Sequence, residues 1–308
     1  MILIISTEED ETTNFVIQHL IFKKKKFIRL NQFEVLKLDF NGKDIEFSNN
    51  LVFFKLSDIT SVWYRKGGLN FEFDTVVDND EFRRVLFKEK IKIIEYIYFL
   101  FHKKRHINRF QNSDNNKLIT LEIAESFGLQ TPKQYLFSSM INNFENGFDN
   151  NNKYITKLIS GDSFMIFGNI GVYCYTKFVD KNLKKKEHFF PSLLQEYIQK
   201  KYELRIFFLN DKLYSMAIFS QESEQTKIDY RNYQKEKPNR RVPYKLPIEI
   251  EEKLIFFMRK IELNSGSIDM IVTYSNEYYF LEVNPVGQFG ALSYNCNYNI
   301  ENLIADYL

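Results

Sequence analysis

Apolar residues recur along the first third of the chain at spacings that alternate between strand and helix. Met1–Ile5 is an apolar run bounded by polar residues and predicts a buried strand, whereas Thr12–Phe22 carries apolar residues at near-helical spacing. Phe27–Leu30 predicts the next strand, and this order predicts a βαβ unit with a parallel strand pair. A strand at Ser61–Arg65 and a long amphipathic helix at Glu81–His106 follow.

Short strands dominate the pattern in the rest of the chain. The polar cluster Gln111–Asn116 is the best candidate boundary between the two parts. Beyond it the pattern predicts helices at Lys117–Phe127 and Ile248–Leu263. It predicts strands at Gln134–Phe137, Tyr154–Leu158, Val172–Phe178, Leu193–Ile198, Leu204–Leu209 and Lys212–Phe219, and a hairpin of Ser267–Thr273 with Tyr278–Val283. An α/β lobe is thus followed by α+β lobes, which could hold a ligand between them.

Composition and charge argue against several classes of protein. The 308 residues carry a net charge of +2, which gives no electrostatic case for binding nucleic acid or an acidic membrane. Cys174 and Cys296 are the only cysteines and form no CxxC pair, which argues against a disulfide framework or a thiolate zinc site. No window approaches about 18 uninterrupted apolar residues, so we expect no membrane span. We therefore expect a cytoplasmic protein without a nucleic-acid or membrane partner.

The final predicted hairpin carries oxygen ligands. Strand alternation places Glu282 and Asn284 on one face of their strand. It places Leu281 and Val283 on the other face, and a short turn brings Asp269 of the partner strand close to the first pair. Two carboxylates and an amide oxygen suit Mg²⁺, which takes a few protein oxygens and completes its shell with phosphate and water. The alternative is an ordinary surface hairpin with exposed acids.

Two other strands carry charged residues of interest. Lys157 leaves an apolar strand towards a loop containing Gly161, where a lysine and loop N–H groups could meet phosphate oxygens. No Walker A motif is present, and a solvated lysine is the alternative. Glu203 and Arg205 are two positions apart and share one face of their strand. A simple salt bridge would explain this second pair as well as a functional site would.

These features follow one another along the chain in a distinctive order. The set comprises Asn116-Lys117, Lys157 with its glycine loop, Gln195-Glu196-Tyr197-Ile198, Glu203-x-Arg205, Asp269 and Glu282-x-Asn284-Pro285. It resembles the ATP-grasp superfamily, more closely the branch of ribosomal-protein glutamate ligases and peptide macrocyclases. The resemblance covers the chain from about Asn115 to Gly290. It implies an ATP-grasp fold of the α/β class, with an N-terminal α/β domain at 1–112, a central lobe at 113–185, a C-terminal lobe at 186–308, and ATP between the lobes.

Further segments narrow the resemblance. They are Asp229-Tyr-Arg231, Lys237-Pro-Asn-Arg240, Val242-Pro-Tyr244 and Leu281-Glu-Val-Asn-Pro-Val-Gly-Gln288. These look like motifs of the graspetide, or microviridin-type, macrocyclases, especially the maturases of grasp-with-spasm peptide clusters. Members of that family join Asp or Glu side chains of a ribosomally made precursor peptide to Ser or Thr as esters, or to Lys as amides. The resemblance implies this activity, the leader and core of such a peptide as partner, ATP and Mg²⁺ as cofactors, and a homodimer.

The resemblance also implies a role for each candidate site residue. The ATP contacts would be Lys117 and Lys157 at the phosphates, Glu196, Tyr197 and Ile198 along the adenine, mainly through backbone groups, and Glu203 at the ribose. The Mg²⁺ ligands would be Asp269, Glu282 and Asn284. The groups facing the γ-phosphate or the substrate carboxylate would be Arg205, Arg231 and Arg240, since a guanidinium fork matches planar oxyanions. Asp229 is a hypothetical base for the attacking hydroxyl. Arg65 either reaches the substrate or forms a structural salt bridge.

Two other functions stay open. The first is another ATP-grasp carboxylate–amine ligase, of the ribosomal-protein glutamate ligase type. A neighbouring short reading frame with repeated Thr and Glu or Asp would favour the macrocyclase over it. The second is a non-catalytic module that binds ATP or a peptide. This is disfavoured because the lysine, acid and asparagine positions of the resemblance are all filled.

Overall fold

The computed structural model describes residues 1–42, 44–73, 79–113, 115–139, 153–160, 164–168, 170–173, 176–179, 188–221 and 239–308. The chain divides into two compact units. The first unit consists of Met1–Ser113, Leu263–Ser265 and Gln288–Leu308. The second unit consists of Asp114–Glu262 and Gly266–Gly287. The division into three domains implied by the sequence stays a prediction.

The described residues form helices and short strands along the whole chain. The helices are α1 Glu11–Phe22, α2 Asp80–His102, α3 Lys117–Ser126, α4 Ile248–Lys260, α5 Gly290–Cys296 and α6 Ile300–Tyr307. The early strands are β1 Ile2–Ser6, β2 Phe27–Asn31, β3 Val35–Phe40, β4 Ile45–Ser48, β5 Phe53–Lys55, β6 Ser61–Tyr64, β7 Asn70–Phe71 and β8 Arg105–Ile107. The later strands are β9 Gln134–Phe137, β10 Tyr154–Thr156, β11 Phe164–Phe167, β12 Ile170–Tyr173, β13 Lys177–Phe178, β14 Ser192–Glu196, β15 Lys200–Leu209, β16 Lys212–Phe219, β17 Arg240–Tyr244, β18 Ser265–Thr273 and β19 Tyr278–Asn284.

A four-stranded sheet in the order β2-β1-β6-β8 organises the first unit. Its strands all pair in parallel, which confirms the predicted βαβ unit formed by β1, α1 and β2. All five residues of β1 are buried. An inner strand of a parallel sheet is covered on both faces, and this explains why Ile2–Ile5 is continuously apolar instead of alternating. Helix α1 packs against α6 near the end of the chain.

A second sheet in the first unit was not predicted. Strands β5, β4, β3 and β7 follow one another in it, with β3 and β7 parallel and the other pairs antiparallel. These strands are only two to six residues long. Runs this short give too few repeats for their period to be distinguished from that of a loop. Burial of Phe47 against Phe54, with ring centroids 4.8 Å apart, helps to hold this sheet together.

Arg65 follows β6 directly and is buried in the first unit. Its Nε lies 3.0 Å from Oδ2 of Asp10, and the two side chains are 3% and 0% exposed. Gln288 donates a further hydrogen bond of 3.0 Å to Asp10 Oδ1. Burial alone raises the pKa of Asp10, but the charge of Arg65 and the hydrogen bonds, including one from Thr13, outweigh it and lower this pKa to about 2. Of the two roles considered for Arg65, the structure supports the salt bridge.

Two sheets position the candidate site in the second unit. One has the order β13-β10-β14-β9, and the other has the order β17-β16-β15-β18-β19. In β15 the predicted alternation holds, because Leu204 and Ile206 are buried on the face opposite Glu203 and Arg205. Helix α4 covers part of the apolar side of this sheet, where Phe257 meets Phe280 with ring centroids 4.9 Å apart.

The predicted final hairpin is present as β18 and β19, with one irregularity. Asp269 pairs with Glu282 and Met270 pairs with Phe280, so Leu281 is an extra residue at a β-bulge. A bulge interrupts strict alternation. The prediction that the side chains of Leu281 and Glu282 lie on opposite faces of the strand is therefore wrong. Leu281 lines the same pocket as Glu203.

The mixed content of helices and strands predicted from the sequence is confirmed. Within the described residues, no helix is long and apolar enough to cross a membrane.

Candidate active site

A pocket in the second unit collects most of the residues predicted to bind ATP. Its walls come from both sheets of this unit. The predicted residues that line it are Lys157, Glu196, Tyr197, Ile198 and Glu203. No site role was predicted for the remaining lining residues, which are Pro132, Ile155, Thr176, Gln195, Lys200, Ile271 and Leu281.

The segment from Glu196 to Ile198 is fixed at the pocket edge by its own backbone. Gln195 pairs with Ile155 of β10, and the amide of Glu196 donates to the carbonyl of Lys133 at 2.8 Å. The amide of Tyr197 donates to the carbonyl of Lys153 at 2.9 Å. These two amides are already used within the protein. Contacts from Glu196 and Tyr197 to a nucleotide would therefore come from their carbonyls and side chains.

Glu203 lies at the pocket in a buried polar cluster. Its Oε1 is 2.6 Å from Lys200 Nζ and accepts a 2.7 Å hydrogen bond from the Ser220 hydroxyl. Burial raises the pKa of Glu203, although the charge of Lys200 opposes the rise. Lys200 is only 2% exposed. No pattern in the sequence could distinguish it from Lys201, because both lysines begin a strand whose partners are set elsewhere in the chain.

The predicted magnesium ligands lie together on the β18–β19 hairpin. Asp269 is directly opposite Glu282, and Ser267 is opposite Asn284. The Asn284 Oδ1 accepts a 3.0 Å hydrogen bond from the amide of Val286, which holds the turn after β19. In the described part of the chain, no group of three or more His, Cys, Asp or Glu side chains could hold a metal ion. The donor set is thus two carboxylates and an amide, which leaves other ligand positions to phosphate and water.

Two cations contact this pair of carboxylates. Lys117, at the start of α3, lies with its Nζ 3.0 Å from Glu282 Oε2 and 3.3 Å from the carbonyl of Leu158. Arg205 Nη1 is 2.6 Å from Asp269 Oδ2. Helix α3 begins at Lys117 because Asn116 is its N-cap and accepts a 3.0 Å hydrogen bond from the Leu118 amide. The structure thereby brings together Lys117, Arg205, Asp269 and Glu282, which are far apart in the sequence.

The remaining predicted residues have different outcomes. Asp229 and Arg231 lie outside the described residues. Arg240 pairs with Phe219, and its guanidinium carbon lies 5.1 Å from the centre of the Phe219 ring. Arg205 shares the opposite face of the same sheet with Asp269. The predicted role of Arg240 at the γ-phosphate therefore needs correction, because strand register turns its side chain away from the site.

The chemistry of this pocket fits a nucleotide. Its apolar lining residues, which include Ile155, Ile271 and Leu281, suit a flat heterocyclic base. The side-chain amide nitrogen of Gln195 is buried and has no hydrogen-bond acceptor among the described residues, so the pocket retains a donor for a ligand. Lys157 lines the same pocket, and Lys117 contacts the carbonyl of the next residue, Leu158. Two lysines beside two carboxylates are groups that would bind phosphate oxygens and a divalent cation.

Three solved structures match the chain over nearly its full length. The macrocyclase MdnC from Microcystis aeruginosa MRC, bound with precursor peptide MdnA, is 27% identical with a TM-score of 0.77, and the match covers 100% of this chain and 99% of that chain. A Chryseobacterium gregarium RiPP-associated ATP-grasp ligase, in complex with ADP and a leader and core peptide, is 23% identical with a TM-score of 0.79, and 99% and 94% of the chains are covered. The ATP-grasp ligase PsnB, complexed with a phosphomimetic variant of its minimal precursor, Mg and ADP, is 14% identical with a TM-score of 0.70, and 99% and 96% are covered. No protein-family model and no curated protein matches the chain.

These matches, together with the pocket, define the class of the protein. The chain has the ATP-grasp fold, and the fold class predicted from the sequence is confirmed. Within that class it is similar to macrocyclases and RiPP-associated ligases, which confirms the resemblance to peptide macrocyclases.

Proposed function

We propose that the chain is an ATP-dependent peptide maturase that forms cross-links within a ribosomally made precursor peptide. It would activate Asp or Glu side chains as acyl phosphates and join them to Thr or Ser as esters, or to Lys as amides. The observation that carries the proposal is the convergence of Lys117, Arg205, Asp269 and Glu282 beside the pocket that contains Glu203. The full-length similarity to MdnC, a macrocyclase bound with its precursor peptide, supports the peptide substrate.

The residues of the site suit the activation of a carboxylate. Attack of a carboxylate on a phosphate brings two anions together, and positive groups fixed in a cleft lower that repulsion. Lys117, Lys157 and Arg205 supply such charges, and Asp269, Glu282 and Asn284 would hold Mg²⁺. When bound, ATP supplies the phosphoryl group and Mg²⁺ neutralises part of its charge.

The two steps balance as a condensation. The carboxylate oxygen takes the γ-phosphoryl group while ADP leaves. The peptide hydroxyl or amine then attacks the acyl carbon, loses its proton and displaces phosphate. Each link therefore removes one water from the peptide and forms one ADP. Proximity of the two peptide side chains would supply much of the rate of the second step.

The proposal is tested by mass spectrometry of a precursor peptide encoded by a neighbouring short reading frame. The peptide is first incubated with this protein, ATP and Mg²⁺. We expect the peptide to lose the mass of one water per link and ADP to form in step. Glu282→Gln should abolish both signals because it removes a predicted magnesium ligand. Glu277→Gln is the matched control, because Glu277 lies on the same hairpin and is exposed, and its carboxylate accepts hydrogen bonds from the hydroxyls of Thr273 and Ser275 within its own turn.

Each outcome separates the proposal from its alternatives. ADP release that depends on Glu282 but leaves the peptide mass unchanged would favour an ATP-grasp ligase of the ribosomal-protein glutamate ligase type. The absence of both signals with folded protein and complete peptide would favour a non-catalytic module that binds ATP or a peptide. The predicted homodimer, the cytoplasmic location and the roles of Asp229 and Arg231 stay predictions.

A further inference from the structure

A groove in the first unit shares no described lining residue with the candidate nucleotide pocket. All of its described lining residues belong to the first unit, and its volume is about 1010 Å³. Three helices contribute to its walls, with Glu11 and Phe15 on α1, Tyr294 on α5 and Glu301 on α6. Helix α6 packs against both α1 and α5, so these walls are fixed relative to one another.

The groove is negatively charged. Among its described lining residues, Glu9, Glu11 and Glu301 are acidic and no lysine or arginine is present. The chain as a whole carries a net charge of +2, so the groove has the opposite sign to the molecule. Glu301 is held in place, because its Oε2 accepts a 2.5 Å hydrogen bond from the hydroxyl of the buried Ser293. These carboxylates attract a cationic ligand and repel phosphates, nucleic acids and anionic membranes.

Aromatic and amide side chains complete the lining and favour a peptide as the ligand. Phe15 is 48% exposed and Tyr294 is 85% exposed, and exposed aromatic rings in one groove are typical of a binding surface. Side-chain amides, which both donate and accept hydrogen bonds, line the groove at Gln18, Gln288, Asn295, Asn297 and Asn299. Such groups match the N–H and C=O groups of a peptide backbone. The volume is at the upper end of the range of about 300–1,000 Å³ for small-molecule sites, so it accommodates several residues of a peptide.

We infer that this groove binds a positively charged segment of the precursor peptide. The inference rests on the proposed function and extends it by naming a surface that recognises the peptide. Lysine or arginine side chains of that segment would pair with Glu9, Glu11 and Glu301, and its apolar side chains would pack on Phe15 and Tyr294. Ion pairs at the rim of an interface steer the encounter and weaken with salt, whereas buried aromatic contacts supply much of the affinity.

The first part of the test compares exposed aromatic residues inside and outside the groove. The Kd of a fluorescein-labelled precursor peptide is measured by fluorescence anisotropy for the wild type and for each variant. Tyr294→Ala should raise this Kd by about tenfold, because a large aromatic contact is lost. Phe22→Ala is the matched control and should stay within about twofold of the wild type. Phe22 is 84% exposed and belongs to the same unit, but it does not line the groove.

A second pair of variants tests the charge of the groove. Glu11→Gln should raise the Kd by about threefold at low salt and by less at high salt, because salt screens exposed ion pairs. Glu81→Gln is the matched control, since Glu81 is exposed in the first turn of α2 as Glu11 is in the first turn of α1. Both substitutions therefore lose the same favourable interaction with a helix dipole. The unfolding transition of Trp63, which is buried in the same unit, shows that each variant is folded.

Changes in the peptide test the same contacts from the other side. Replacing its lysine and arginine residues by glutamine should weaken binding to the wild type, and should have a smaller effect on a variant that combines Glu9→Gln with Glu11→Gln. Equal Kd values for Tyr294→Ala and Phe22→Ala, or binding that does not depend on the basic residues of the peptide, would overturn the inference. A Tyr294→Ala variant that loses self-association in sedimentation but binds the peptide normally would overturn it in favour of a second copy of the chain.

Mass spectrometry of the same peptides separates this inference from the proposed function. Loss of water from the peptide, with an unchanged Kd for the groove variants, would refute the docking surface alone. Binding that depends on Tyr294 and Glu11, without loss of water in the presence of ATP and Mg²⁺, would refute the cross-linking activity alone.

Discussion

Lys117 and Arg205 each form an ion pair with a carboxylate that the sequence predicts as a magnesium ligand. In both ion pairs, the side chains of the cation and of the carboxylate are between 14% and 21% exposed. Partly buried pairs are screened by salt less than surface pairs, so they hold charges in place more effectively. A carboxylate offers about four lone-pair sites, and an ion pair through one oxygen does not exhaust them. The same acids are therefore able to serve a lysine or arginine and a divalent cation together.

The first prediction concerns Lys117. Lys117→Met should raise the Kd for ADP in the presence of Mg²⁺ by about tenfold or more, because a hydrogen bond to a charged group contributes about 1.5–3 kcal/mol. Titration calorimetry measures the effect. Lys245→Met is the matched control, since Lys245 is 83% exposed and pairs with Glu251 on the surface. Equal Kd values for the two variants would contradict a phosphate contact from Lys117.

At the scale of elements, the β18–β19 hairpin depends on one close approach of the Gly287 backbone to the Ser267 side chain. Gly287 follows the hairpin, and its amide donates to the carbonyl of Asn284 at 3.1 Å. A Cβ at this glycine would lie 2.4 Å from the Cβ of Ser267. Real Cβ atoms do not approach so closely, so the turn that orients Asn284 requires a glycine here. The bulge at Leu281 also shapes the candidate site, because it brings an apolar side chain to the pocket beside the face that carries the predicted magnesium ligands.

The second prediction follows from this contact. Gly287→Ala should lower the free energy of unfolding by about 1–3 kcal/mol, as overpacking of a close contact commonly does. It should also slow ADP formation, because the turn carrying Asn284 must shift. Urea unfolding and a coupled ADP assay measure the two effects.

Two further variants check the cause. Ser267→Gly in the Gly287→Ala background removes the opposing Cβ and should restore much of the stability. Gly68→Ala should cost little, because its nearest neighbour, a carbon of Phe110, is at an ordinary 3.4 Å. A Gly287→Ala variant as stable as Gly68→Ala would contradict the proposed strain.

At the scale of the whole molecule, the buried ion pair and the candidate pocket lie in different units. The first unit holds the parallel sheet and the buried pair of Asp10 and Arg65. The second unit contains every described residue of the candidate nucleotide pocket. Trp63, the single tryptophan of the chain, is buried in β6 of the first unit. Its fluorescence therefore reports on unfolding of the first unit, whereas ADP binding reports on the second.

The third prediction uses this separation. Asp10→Asn should lower the free energy of unfolding seen by Trp63 by about 3–5 kcal/mol, because it leaves the charge of Arg65 buried without its carboxylate. ADP affinity should stay within about twofold of the wild type. Asp211→Asn should cost at most about 1 kcal/mol, since its pair with Arg259 is 46% and 56% exposed. A similar cost for both substitutions would contradict the importance of burial.

The pair of Asp10 and Arg65 also makes the stability of the fold depend on pH. The pKa of Asp10 is about 2 in the folded chain, below its ordinary value of 3.8. The ionised carboxylate therefore stabilises the fold above pH 3.8, and this stabilisation is lost as the pH falls towards 2. The Asp10→Asn variant has no carboxylate at this position, so its stability should change less between pH 3.8 and 2 than that of the wild type. Parallel curves for the two proteins would contradict the lowered pKa.

Local pattern in the sequence determined the elements and the order of the site residues. The apolar run at Ile2–Ile5, the helical spacing of α1 and the alternation of β15 each depend on residues close together in the chain. Several candidates taken from the resemblance, including Lys157 and Glu203, line one pocket in the structure. Ile271 could also have been found from the sequence, because it is two positions from Asp269 on the same strand.

Only the tertiary structure decided which partners and faces these residues have. The burial of Lys200, the place of Leu281 at a bulge and the opposite faces of Arg240 and Arg241 all depend on strand register. Register is set by pairing with strands distant in the chain, and a shift of one residue moves every side chain to the other face. Chain order and the resemblance therefore indicated several of the groups that the site contains, and long-range pairing determined which of them meet and which further residues join them.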